Sequence, residues 1–111
     1  MDAQIKKGLL DACVLAVLKR EDSYGYRLMQ EISRIVEVSE STLYPVLKRL
    51  ETGGSLTTYS REHNGRLRRY YKLTDTGAAR LEAFREEWRN IKKVIDYILE
   101  EGLIDESGGI H

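Results

Sequence analysis

Cysteine, proline, tryptophan and phenylalanine each occur once among the 111 residues, histidine occurs twice, and the chain has no net charge. A single thiol, Cys13, excludes an internal disulfide, and with two well-separated histidines it excludes a Cys/His zinc site of the usual spacing. No His, Cys or Ser stands in a recognisable catalytic pattern, and no glycine-rich loop follows a strand into a helix. Acid–base, nucleophilic and phosphate-cradling chemistry therefore have no footing, and neither an enzyme nor a bound cofactor is expected. No run approaches the roughly 18 consecutive apolar residues of a membrane span. The segment KKGLLDACVLAVLKR imitates a secretion signal, with two lysines before an apolar run and an LDAC like a lipoprotein cleavage site. Only twelve residues precede Cys13, however, Asp11 interrupts the run, and Lys19-Arg20 follow at once. The segment reads as a buried first helix, with Cys13 a small hydrophobe upon it, and the expected location is cytoplasmic.

Apolar residues make up 41% and charged residues 32%, a globular composition at one domain's length. Zero net charge looks unpromising for a nucleic-acid binder, because phosphate attraction needs local positive charge. The total hides a partition. Residues 1–40 carry six Lys/Arg against seven Asp/Glu, giving −1; residues 41–73 carry seven against two, giving +5; residues 74–111 carry five against nine, giving −4.

Leu9, Leu10, Cys13, Val14, Val17 and Leu18 recur at three- and four-residue steps and predict helix 1 over residues 5–19. Ser23 is the expected N-cap of helix 2, whose inner face is Leu28, Met29, Ile32 and Ile35. After the short turn VEVSE, the stretch STLYPVLKRLE reads as helix 3, with Leu43, Val46, Leu47 and Leu50 inward. Ser41, Pro45, Lys48 and Thr52 lie on the opposite side, flanked by Thr42, Tyr44 and Arg49. A proline within a helix loses a hydrogen bond and clashes with the preceding turn, so the expected start is Ser41 or Thr42, where the first amides have no intrahelical partner. That start leaves hydroxyls, an aromatic ring and the proline ring on an exposed N-terminal turn, groups suited to phosphates and base edges in a major groove.

Gly53-Gly54 stops helix 3, and Asn64-Gly65 between strand-forming runs is a strong hairpin signal, since a type I′ turn needs positive φ at both central residues. The turn fixes the register from His63 opposite Arg66 down to Leu56 opposite Leu73. Alternation puts Leu56, Thr58, Tyr71 and Leu73 on a packed face and Tyr59, Arg61, Arg68, Tyr70 and Lys72 on a basic, aromatic one. Arg61 opposite Arg68 is a like-charge pair, which destabilises a ladder and suggests an anion that relieves it. His63 and Asn64 stand at the tip beside Arg66, and with Arg49 and Arg61 they are further candidate nucleic-acid contacts. The TDTG segment then opens a last helix, capped by Thr74 or Asp75 and running from about 76 to 100, roughly 37 Å. On it Leu81, Phe84, Trp88, Ile91, Ile95 and Ile98 form a heptad seam that calls for a second copy of the chain.

Three helices followed by a two-strand hairpin is the order of a winged helix-turn-helix: mainly α, with a small β-hairpin wing and a long C-terminal dimerisation helix. The expected divisions are residues 1–74 for the DNA-binding domain, 75–101 for the dimerisation helix and 102–111 for a flexible tail. The segments GLLDACVLAVL, SYGYRLMQEI, STLYPVLKRLE and GRLRRYYKLTDTG together resemble the PadR family of bacterial transcriptional regulators over roughly residues 5–100. The resemblance implies a repressor that dimerises through its C-terminal helix and helix 1, here Leu9, Leu10 and Cys13, and that loosens from its operator when a small molecule binds. It carries DNA contacts to Ser41, Thr42, Tyr44, Pro45 and Lys48 and to Arg66, Arg68 and Arg69. Ser55 departs from the family at a usually apolar position, and Leu67 at one where proline is frequent. The single last helix resembles the short-tailed branch, some of whose members sense aromatic compounds between subunits; Trp88, at the middle of the seam, is the candidate for that contact or for plain dimer packing. The expected partners are thus a pseudo-palindromic double-stranded operator, a second copy of the chain and a small aromatic effector. A winged-helix adaptor that binds protein is the alternative.

Overall fold

Asp2 opens the first helix of the chain: its Oδ1 accepts from the Gln4 amide at 2.9 Å and the Ile5 amide at 3.3 Å, satisfying two of the four donors a helix start leaves unpaired. A computed structural model of the protein describes residues 1–100. In chain order it contains α1 (Ala3–Arg20), β1 (Ser23–Tyr24), α2 (Gly25–Ser33), α3 (Glu40–Thr52), β2 (Leu56–His63), β3 (Arg66–Leu73) and α4 (Asp75–Leu99). The expected tail, 102–111, lies outside the described residues. Two compact units divide at Leu81 and Glu82, so the first takes in the opening turns of α4 that the expected boundary at 74 and 75 had left out.

The core of the first unit is built from Leu10, Val14, Leu15 and Leu18 of α1, Leu28 and Ile32 of α2, Leu43, Leu47 and Leu50 of α3, Leu56 at the base of β2, and Leu81. Burying each such side chain stabilises the fold by roughly 1.5–3 kcal/mol. The inward face of α3 is as its spacing predicts, with Leu43, Val46, Leu47 and Leu50 all buried. In α1 the buried set is Leu10, Asp11, Ala12, Val14, Leu15 and Leu18, while Leu9, Cys13 and Val17 are half-buried. That helix is apolar almost all round, so its periodicity did not single out the inward side.

Three local expectations are corrected. Ser23 is not a helix cap. It is fully buried in β1, a two-residue strand that pairs with β3 through Ser23 opposite Tyr71 and Tyr24 opposite Tyr70. The sheet is therefore three-stranded, in the order β1-β3-β2. Ile35 lies beyond the end of α2 and is exposed. Finally, α3 begins at Glu40 with Ser39 as N-cap, so Pro45 falls just past the first turn and has no amide to give to the Ser41 carbonyl.

At its other end, α3 closes in a Schellman motif. Gly54 takes φ +83°, its amide donates to the Glu51 carbonyl at 3.0 Å, and the Ser55 amide reaches the Leu50 carbonyl at 2.9 Å. The same corner anchors α4. The Thr74 amide donates to the Ser55 carbonyl at 3.1 Å, and the Thr74 hydroxyl donates to the Gly54 carbonyl at 2.6 Å while accepting from the Gly77 amide at 3.0 Å. Of the two candidate caps, Thr74 holds the helix. Among the described residues no helix is long and apolar enough to cross a membrane.

Candidate nucleic-acid interface

The outer face of α3 exposes Ser41, Thr42, Tyr44, Pro45 and Lys48 together. Ser39 makes no side-chain bond to the helix amides. Its hydroxyl instead meets Ser41 Oγ at 3.0 Å and Thr42 Oγ1 at 3.1 Å, leaving a cluster of hydroxyls beside uncapped N–H groups at the positive end of the helix.

The wing has the register that its turn dictates, from His63 opposite Arg66 to Leu56 opposite Leu73, with φ of 52° at Asn64 and 79° at Gly65. Its outer face differs from expectation. Tyr24, Tyr70 and Tyr59 form a row across all three strands: Tyr59 and Tyr70 stack at 5.4 Å between centroids, and Tyr24 meets Tyr70 edge-on at 5.5 Å. Tyr70 is thereby buried. Arg61 lies over Tyr70 at 5.2 Å, and Arg68 lies over Tyr24 at 3.9 Å. The like-charge pair is relieved within the protein by ring faces, each worth about 0.5–2 kcal/mol, so no bound anion is needed to explain it. Tyr24 was not legible as part of this site, because a two-residue strand is too short to show alternation.

Two phenols of the sheet, Tyr59 and Tyr71, have raised pKa values. Tyr59 donates to Asp22 Oδ2 at 2.7 Å, a bond that pushes its pKa up, and burial pushes Tyr71 up. Burial also raises the Cys13 thiol, consistent with a packing role rather than a reactive one.

Two arginines expected at the interface are held elsewhere. Arg49 donates to both oxygens of Asp11, at 2.9 and 2.7 Å, which raises its own pKa, and Arg80 adds a third bond to Asp11 at 3.3 Å. Asp11, inside α1, is 4% exposed. Arg49 is thus a tie between α3 and α1 rather than a free cation. Arg69 pairs with Glu51 at 2.8 Å, so its charge is largely matched. Arg61, His63, Asn64 and Arg66 are exposed and Arg68 half-buried. Neither Leu10 nor Leu81 is free for a second copy, since each is already covered within its own unit, at 1% and 2% exposure.

In the second unit, Ile91, Val94, Ile95, Tyr97, Ile98 and Leu99 are exposed. Phe84 and Trp88 form a tilted ring pair, 5.1 Å between centroids.

Comparison with known proteins agrees with this geometry. A solved structure from Streptococcus mutans is similar at 47% identity, covering 84% of this chain and 88% of that one with a TM-score of 0.79. A PadR family transcription regulator from Clostridium difficile matches at 34% identity, over 81% and 97% of the two chains, with a TM-score of 0.76. A transcriptional regulator of Mycobacterium tuberculosis is 40% identical over 65% of this chain and 68% of its own length. Residues 14–83 match the model of the transcriptional regulator PadR-like family, and with the winged helix-turn-helix now in place the chain belongs to that family of DNA-binding transcriptional regulators, which are not enzymes.

Proposed function

We propose that the protein is a homodimeric, ligand-responsive repressor that reads a pseudo-palindromic operator with α3 in the major groove and steadies itself on the phosphates with the wing. The observation that carries this reading is a set of cations left without acidic partners: none of Lys48, Arg61, Arg66 and Arg68 is ion-paired with a described residue, although the chain as a whole is neutral. Ser41, Thr42, Tyr44, Pro45 and Lys48 are the reading surface; Arg61, His63, Asn64, Arg66 and Arg68 form the wing surface.

Arg68→Ala is expected to weaken binding to all duplexes about equally and to flatten the salt slope by about one unit. Lys48→Ala and Tyr44→Ala are expected to alter preference among sequences instead. Fluorescence anisotropy titrations at several salt concentrations separate the two classes. Binding that ignores salt in the parent protein would favour the adaptor, because neutralising several phosphates makes affinity fall by orders of magnitude over a modest salt increase. A two-fold dimer also sets half-sites about 10 to 10.5 bp apart, or a multiple of that.

The exposed seam on α4 and the half-buried Leu9, Cys13 and Val17 of α1 support self-association, since unpartnered apolar faces of this kind mark interfaces. Ile95→Glu would bury an unpaired charge in such a seam, and sedimentation is expected to show monomers. A sedimenting dimer would remove α4 from the interface. The Phe84–Trp88 pair supports a flat aromatic effector stacked at the same interface, quenching the only tryptophan and lowering operator affinity, with a reciprocal factor typically between 5 and 150. That quenching is expected to disappear in Ile95→Glu; quenching that persists in the monomer, or none in the parent with any compound that releases DNA, would contradict it.

A further inference from the structure

Gly25, the first residue of α2, lies directly beneath the Tyr44 ring. A Cβ built on Gly25 would sit 2.8 Å from Tyr44 Cε1, 2.9 Å from its hydroxyl and 3.3 Å from Cζ, well inside van der Waals contact. The ring of the reading helix thus rests its far edge on the bare backbone of the preceding helix, while the rest of it remains exposed at 42%.

Nothing about Gly25 itself demands glycine. It does not have positive φ, and alanine is the better helix former, by up to about 1 kcal/mol within a helix. The three nearest atoms that a methyl group there would meet all belong to the Tyr44 ring.

We propose that Gly25 is a positioning residue for sequence reading: the absence of its side chain sets the Tyr44 ring at the angle from which α3 meets base edges. Gly25 does not touch the DNA in this reading. It acts through Tyr44, and the inference rests on the DNA-reading function proposed above. A methyl group at Gly25 pushes the ring outward. Because the ring is the movable end of a half-exposed side chain, the fold itself is spared.

The test uses a duplex selected by the parent protein from a random-sequence pool, together with a duplex of unrelated sequence. Gly25→Ala is expected to melt at or above the parent temperature, to keep its affinity and salt slope on the unrelated duplex, and to lose about tenfold in preference for the selected one, within the range of a single base contact. Tyr44→Ala is expected to lose a similar factor, and the double variant no more than Tyr44→Ala alone, since the methyl group then has no ring to displace. Tyr44 ring resonances in the unbound protein should shift in Gly25→Ala. Losses that multiply in the double variant, or a Gly25→Ala variant that discriminates as the parent does, would overturn the positioning role while leaving the DNA-binding function intact. A parent that selects no sequence at all would overturn the function first.

Discussion

Gly77→Ala is expected to lower the melting temperature by 12 °C or more, equivalent to at least about 3 kcal/mol for a domain of this size. Gly77 is helical and buried, a setting in which alanine is ordinarily favoured by nearly 1 kcal/mol; the sign is reversed by what lies beside it. A Cβ there would stand 2.1 Å from the Ser55 carbonyl oxygen and 2.6 Å from Leu73 Cδ1. The carbonyl cannot swing aside, because it accepts the Thr74 amide and belongs to the corner that also closes α3. Relief requires α4 to lift from that corner and gives up the Thr74 bonds to Gly54 and Gly77. Calorimetry of Gly77→Ala beside Gly77→Ser distinguishes steric from propensity effects: both should fall well below the parent. A melting temperature for Gly77→Ala within a few degrees of the parent would mean that the close approach is not held in solution.

The second expected result is an asymmetry. Arg49→Met should destabilise by about 2–3 kcal/mol in chemical denaturation, whereas Asp11→Leu should cost about 1 kcal/mol or less. The carboxylate side chain is 6% exposed, but its partners Arg49 and Arg80 are 39% and 41% exposed. Taking away Arg49 leaves a buried anion with one bond of 3.3 Å and little water. Taking away Asp11 leaves two guanidiniums that turn to solvent, and the screening at their exposure discounts what the ion pair contributed. Leucine also suits the neighbouring apolar side chains of α1. Equal losses, or a larger one for Asp11→Leu, would show that the pair is not governed by the desolvation of its anion.

These two sites also mark how far the sequence could be read. Asn64-Gly65 fixes the hairpin register because a two-residue turn admits one pairing, and the 3–4 spacing of α3 identifies its exposed face because only one side of that helix is apolar. α1 lacks such contrast, so its inward side depended on packing. Asp11 meets partners 38 and 69 residues away, a distance at which periodicity carries nothing, and Arg49, placed beside the reading face by its angle on the helix, is claimed by that distant acid. The two-residue β1 left no pattern to detect. Once β1 is present, Tyr24 and the rings it aligns account for arginines that on the hairpin alone called for an external anion.

The short β1 also changes the mechanics of the wing. Near its base, β3 is flanked on both sides, at Tyr70 by Tyr24 and Tyr59 and at Tyr71 by Ser23 and Thr58, whereas from Arg66 to Arg69 it has β2 alone. A two-stranded ribbon is marginal in water, and a third strand with ring packing gives it independent strength. The wing is therefore a cantilever, clamped at the tyrosine row and free over its distal half. Its compliance increases toward the tip, so that in the proposed complex the charged end would follow a curved and variable backbone while the clamped end transmits the load to the helices.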